Sequence, residues 1–212
     1  MAMNTSEGIF EAVPQAAYAV GMKSSKKNED RFLVNGKGIP GIADAFIGIF
    51  DGHNGDGASE FLQLHMLTLM KKHPVSDTCN EFGWPSNIDT IISSTFLKMD
   101  AHVQELMGDG STCTIILLKQ FEDLVSAKVA WVGDSRCTLH VKHGYQDLVV
   151  DHRADNAAEQ TRIMEACMGN LSNNHLAGWR KTGMITAEEK DKLFNVSSVL
   201  LRKDKFAASV PV

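Results

Sequence analysis

The sequence predicts an α+β fold built in layers, a sheet sandwich with covering helices, and three observations predict it. Short β-forming runs flank two long stretches with helical apolar spacing. Strands and helices do not alternate strictly, which disfavours a doubly wound parallel sheet. The central apolar run, Ala45 to Phe50, stops abruptly in Asp51-Gly52-His53-Asn54-Gly55, so a buried strand delivers polar groups to its exposed end. The 212 residues suit one domain, or one domain with an appendage.

Taken in order, residues 1–14 show little periodicity and read as a loose lead-in. Ala16 to Met22 resembles a strand, followed by a polar loop from Lys23 to Asn28. Glu29-Asp30 then heads a further strand through Val34, which turns at Asn35-Gly36-Lys37-Gly38. After the central strand, Phe61, Leu62, Met66, Leu69 and Met70 mark one face of a helix over Ala58 to Lys72. Pro74 and the basic run Lys71-Lys72-His73 suit its end. A second helix is predicted over Ile88 to Met107, with Ile91, Ile92, Phe96, Met99, Val103 and Leu106 inward. The methionines of both helices read as core filler. Strands return at Thr114–Leu118, Val125–Val132, Cys137–Val141 and Asp147–Val150. A helix follows at Ala157–Glu165, then a loop from Gly169 to Gly183. Thr186-Ala-Glu-Glu189 is a capping box that opens a helix carrying Leu193, Phe194, Val196 and Leu200.

Composition narrows the function classes. With 43% hydrophobic and 22% charged residues the chain reads as soluble and globular, and a formal charge of −5 excludes a general nucleic-acid or anionic-membrane surface. No basic, apolar-cored leader opens the sequence, Ala2 stands where N-myristoylation needs glycine, and the apolar runs are too short to span a bilayer. Cys79, Cys113, Cys137 and Cys167 form no Cys-x-x-Cys pair and read as free thiols in a reducing compartment. The expected location is intracellular, cytoplasmic and/or nuclear.

The chemistry gathers at strand ends. Asp51 beside Gly52 and Gly55 offers a carboxylate and inward-turning carbonyls, which is oxygen ligation for a hard cation such as Mg²⁺ or Mn²⁺. The alternative is an Asp-Gly β-turn with His53 an ordinary loop residue. Gly133-Asp134-Ser135 repeats the pattern at a second strand end, with a hairpin turn as its alternative. Glu29 and Asp30, adjacent on a strand, face opposite ways, so one serves a site while the other anchors structure, or the loop bends. His152 reads as a structural histidine.

These motifs together resemble the metal-dependent serine/threonine protein phosphatases of the 2C type. The resemblance rests on Asn28-Glu29-Asp30, Phe50-Asp51-Gly52-His53-Asn54-Gly55, Gly110-Ser111-Thr112, Val132-Gly133-Asp134-Ser135-Arg136, and Asp151-His152 with Glu159-x-x-Arg162-Ile163, over about residues 15–166. It implies a partial β-sandwich flanked by helices, with an incomplete phosphatase-like domain at 15–168 and a divergent tail at 169–212 containing one helix. It implies two Mg²⁺ or Mn²⁺ ions that share Asp51, bind the Gly52 carbonyl and reach Glu29 directly or through water, with Asp134 at the position of an additional, weaker metal and Asp30 an acid near the site. A metal-bridged hydroxide would then dephosphorylate phosphoserine and phosphothreonine in phosphoprotein substrates, with Asp51 and His53 catalytic and His53 protonating the leaving oxygen.

The sequence departs from the family pattern at three places. Ser25 stands where an arginine usually grips the substrate phosphate, leaving Lys26 and Lys27 as point-charge substitutes. Asn54 replaces a small residue, a mild change because asparagine tolerates left-handed backbone. Beyond Ile163 the flap and two further metal-binding aspartates do not appear; Asp191 and Asp204 lie among lysines and read as surface charges. The alternative function is therefore a catalytically impaired truncated isoform or pseudophosphatase that acts as a binding or regulatory protein. A sandwich short of strands also exposes apolar faces, which a protein partner or self-association is expected to cover.

Overall fold

The computed structural model describes residues 3–11, 13–23, 27–106, 108–153, 155–159, 161–162 and 195–202. Among the described residues the elements run in the order β1 (Met3–Phe10), β2 (Val13–Lys23), β3 (Arg31–Asn35), β4 (Ala45–Phe50), β5 (Gly52–His53), α1 (Gly57–Met70), α2 (Ile88–Leu106), β6 (Gly110–Ser111), β7 (Cys113–Phe121), β8 (Leu124–Val132), β9 (Thr138–Val141), β10 (Gly144–Asp147) and β11 (Asn195–Arg202). The main sheet is five-stranded and antiparallel, in the order β11-β8-β7-β4-β3. Two ribbons, β1-β2 and β9-β10, pair only within themselves, and β5 pairs β6 over two residues.

Alternation along the strands assigns the layers. Phe46 and Phe50 of β4, Ile115 and Leu117 of β7, and Ala130 of β8 face the helices. Against them α1 sets Leu62, Met66 and Met70, four residues apart, and α2 sets Ile88, Ile91, Ile92, Phe96 and Met99. Each such side chain removed from water contributes about 1.5–3 kcal/mol. Two polar links cross this layer: Trp84 Nε1 donates to Ser126 Oγ at 2.7 Å, and the buried Lys128 ammonium meets Asp89 at 2.7 Å.

The opposite face of the sheet is covered in part. The β1-β2 ribbon lays Phe10 and Val13 on Ala45, Leu118 and Ala127, at the end of the sheet away from Asp51. Nearer Asp51, Val129 and Trp131 pack on Val149, while Ile49 of β4 stays 41% exposed. The two layers bear out the α+β expectation. Among the described residues no helix is long and apolar enough to cross a membrane.

Most element boundaries follow the sequence pattern, with three corrections. The loose lead-in expected at residues 1–14 contains β1, paired to β2 from Met3↔Lys23 onward; its periodicity is weak because Phe10 is buried while the neighbouring Ile9 is 68% exposed. Within the helix expected from Thr186, residues 195–202 form β11 instead, and Val196 pairs Ala130 while Leu200 pairs Ser126. Their β-branched and apolar character suits the open edge of β8, and pairing there overrides local helical spacing. Residues 195–202 are thus the edge strand of the main sheet beside β8. The strand expected at Asp147–Val150 is displaced: Asp147 ends β10, and the following residues turn Val149 into the core. Residues 163–194, with Cys167, Asp191 and the start of the expected tail helix, lie outside the described residues, as do Ser25, Lys26 and Asp204.

Candidate metal centre

Register brings the acids together. Arg31 pairs Phe50 at the last rung between β3 and β4, so the next residues outward are Asp30 and Asp51. Partial loss of hydration and then the nearby Asp30 carboxyl hold the Asp51 carboxyl above the ordinary carboxylate range; Asp134 pushes the same way and His53 opposes. Asp51 is open to solvent as a residue, so crowding by the two aspartates is the cause specific to this place. Among the described residues no set of three or more His, Cys, Asp or Glu stands in metal-ligand geometry. The donor set nevertheless fits a hard cation: Asp51 is proton-hungry because like charges face it, and a divalent ion removes that repulsion as a proton does.

The acid-bearing loops are fixed by neighbours. Arg31 lies on the helix-facing side of β3, its side chain 15% exposed. Its guanidinium donates to the carbonyls of Asn28 (2.7 Å) and Asp30 (2.9 Å) and to the Asp56 carboxylate (2.8 Å), tying the Glu29-Asp30 loop to the start of α1. Glu29 precedes β3 in the loop and is engaged by the start of α1 and its lead-in: its carboxylate accepts the Gly55 N–H at 2.8 Å and meets Lys27 at 3.8 Å, and its carbonyl accepts the Ser59 hydroxyl. Gly52 is required here, since a Cβ would stand 2.3 Å from the Glu29 carbonyl oxygen. Asn54 adopts φ 62°, the left-handed conformation that asparagine tolerates.

The second strand end is joined to the first through Thr112. The Thr112 hydroxyl accepts the Asp51 N–H at 3.2 Å and lies 2.6 Å from the Ser135 hydroxyl, while the Thr112 N–H donates to the Asp51 carbonyl at 2.9 Å. Gly133-Asp134-Ser135 is not a hairpin turn, because β9 pairs β10 and not β8. Asp134 lies 3.6 Å from Arg153, and with His152, Arg153 and Asp155 it lines an open hollow of about 430 Å³. His152 Nδ1 accepts the Gly133 N–H at 3.2 Å, and the His152 backbone N–H donates to the Gly133 carbonyl at 3.0 Å, which makes it structural. Burial, chiefly, holds its imidazole below the usual histidine range. Arg136 grips Asp151 through two nitrogens, and this hydrogen bonding holds the Asp151 carboxyl low. Arg162 likewise pairs Glu159 one helical turn away.

Asp30, Asp51, Gly52, His53 and Asp134 thus share one end of the sheet, with Glu29 in the supporting loop and Lys27 paired to it. Sequence reasoning missed Arg31, which was visible as a charged residue alternating with inward Leu33, and missed Asp109, described below, which carried no signal in any periodic pattern.

Comparison with known proteins shows the family to which the chain belongs. A family model described as protein phosphatase 2C matches residues 21–187. A probable protein phosphatase 2C 33 of Oryza sativa subsp. japonica is 31% identical over 169 residues, covering 75% of this chain and 37% of that protein. A probable protein phosphatase 2C 5 of Arabidopsis thaliana is 31% identical over 168 residues, covering 75% and 38%. The chain spans less than two-fifths of the length of these relatives. Among solved structures, a phosphatase from a pathogenic strain of Toxoplasma gondii aligns with TM-score 0.59 at 15% identity, over 94% of this chain and 73% of that one. A C. elegans sex determining protein aligns with TM-score 0.58 at 17% identity, over 97% and 50%. At such identities these two show the fold alone.

Proposed function

The chain belongs to the protein phosphatase 2C family, a metal-dependent family, and on that premise we propose that it hydrolyses phosphoserine and phosphothreonine in proteins. The observation that carries the reading is the strand register, which brings Asp51, Asp30 and Asp134 with His53 to one end of the sheet. Two Mg²⁺ or Mn²⁺ ions, when bound, lower the pKa of water and neutralise charge on the phosphoryl oxygens.

The chain's own residues supply the rest. Asp51, Asp30, Asp134 and the Gly52 carbonyl would hold the metals. Glu29, by accepting the Gly55 N–H, keeps the metal loop in its curved form and would support the bound ions from there. His53 follows the metal loop directly and is exposed, so its imidazole is available to hand a proton to the departing serine or threonine oxygen. Lys27, exposed at the rim, attracts the substrate phosphate as a point charge, with Lys26 beside it in sequence.

The test is phosphate release from a phosphothreonine peptide at millimolar Mn²⁺, expected in the wild-type chain and abolished in Asp51→Ala. A folded wild-type chain with no turnover excludes catalysis by this polypeptide. A second reading, a catalytically impaired chain that binds phosphoproteins, is favoured by Ser25 and by the engagement of Glu29 with Gly55; Mn²⁺ uptake and phosphopeptide binding without turnover would support it.

A further inference from the structure

Asp109 lies between α2 and β6, remote in sequence from the metal loop, yet its carboxylate reaches the start of α1. Oδ2 accepts the Gly57 N–H at 2.7 Å and Oδ1 accepts the Ala58 N–H at 3.2 Å. These are the first two amides of the helix, which no carbonyl of its own can satisfy. Asp56, the residue at the N-cap position, makes no side-chain cap bond, and its carboxylate is turned to Arg31. Asp109 therefore caps α1 from another element, where an anion also suits the positive end of the helix.

The same carboxylate presses on the metal loop. Gly55 has φ 145°, and a Cβ there would stand 2.7 Å from Asp109 Oδ2. The residues after Asp109 continue the contact in antiparallel order: Gly110 pairs His53, Ser111 pairs Gly52, and Thr112 exchanges two hydrogen bonds with Asp51. Residues 109–112 thus form a splint along 51–58, with Asp109 as its charged end.

From this geometry we infer that Asp109 is a positioning residue: by clamping Gly57 and Ala58 it holds the loop from Asp51 to Asp56 in the curvature that sets Asp51 and the Gly52 carbonyl toward a cation. The inference rests on the metal-centre reading above for its consequence, though the clamp itself is independent of catalysis. Without it, the left-handed Asn54 and Gly55 are released toward extended backbone, and the loop loses its fixed aim.

The experiment uses the full chain, isotopically labelled, as wild type, Asp109→Ala and Asp109→Asn. In the metal-free state the amide signals of Gly57 and Ala58 are expected to shift and to exchange faster in both variants, and those of Gly52 and His53 to shift with them. Calorimetric Mn²⁺ affinity is expected to fall roughly tenfold in Asp109→Ala, and less in Asp109→Asn, which keeps one acceptor oxygen. Changes confined to Gly57 and Ala58, with Gly52, His53 and Mn²⁺ affinity as in wild type, would reduce Asp109 to a helix cap and overturn the inference. Should Asp109→Ala not fold, Asp109→Asn decides on the same signals. A wild-type chain that binds Mn²⁺ but releases no phosphate defeats the phosphatase proposal and leaves this one intact; if it takes up no Mn²⁺, the metal-free Gly52 and His53 amides decide alone.

Discussion

Asp51 is held at a cost to the metal-free protein. Because its carboxyl titrates above its unfolded value, the folded state binds the proton better, so stability declines as pH rises through that range and the penalty is complete above it. Asp51→Asn is therefore expected to raise metal-free thermal stability at neutral pH, by no more than about 1 kcal/mol because solvent screens the site. The same variant is expected to lose the stabilisation that Mn²⁺ gives the wild type. Thermal melts with and without Mn²⁺ check both signs, and a variant no more stable than wild type without metal would refute the crowding argument. His152 runs the other way. Its Nδ1 must stay unprotonated to accept the Gly133 N–H, so the stabilisation is fully present above its ordinary value of 6.5 and is lost as pH falls through its lower folded value. An NMR titration of the ring is expected to place its midpoint below 6.5. Asp51 was legible in the sequence because the Asp-Gly pair ends an apolar strand. Glu29 and Asp30 lie ahead of β3, so strand alternation does not govern them, and their two jobs, holding the Gly55 N–H and crowding Asp51, depend on loop geometry and register that sequence cannot supply.

At the scale of elements, periodicity located both helices within a few residues, since the faces of α1 and α2 repeat apolar side chains every three or four positions. It could not reveal what joins α2 to the sheet. The Lys128 ammonium is buried with 6% of its side chain exposed, and its partner Asp89 is 66% exposed. Removing that partner by Asp89→Ala leaves a buried charge with a lost partner and is expected to cost about 1–3 kcal/mol in chemical denaturation. Lys128→Met, which removes the charge itself, is expected to stay within about 1 kcal/mol of wild type. Equal losses in the two variants would show that the lysine contributes through packing alone. β11 was misread for the converse reason. Its local sequence satisfies helical spacing, and only the open edge of β8 makes a strand the better outcome.

At the scale of the molecule, two layers meet the sheet unequally. The helical layer covers its face with large buried side chains, whereas the β1-β2 ribbon depends on Phe10 and Val13. Phe10→Ala is expected to destabilise the chain by about 3–5 kcal/mol and to detach the ribbon, measured by denaturant unfolding and by faster amide exchange in β1 and β2. Amide exchange unchanged in β1 and β2 would mean that backbone pairing, and not this ring, holds the ribbon in place. The overall α+β layering was legible because strand and helix periods differ; the ribbon's role was not, because a strand that contributes so few core residues leaves almost no periodic trace.

The pairing of β11 with β8 also sets an order of events during synthesis. Residues 124–132 leave the ribosome well before residues 195–202, and at ~5–20 residues per second the interval is on the order of several seconds. Throughout it the backbone groups along that side of β8 face solvent without their eventual mate. The nascent polypeptide is most exposed to chaperones and to other unfinished chains in this interval, and the vulnerability closes only when the late-arriving segment zips into place.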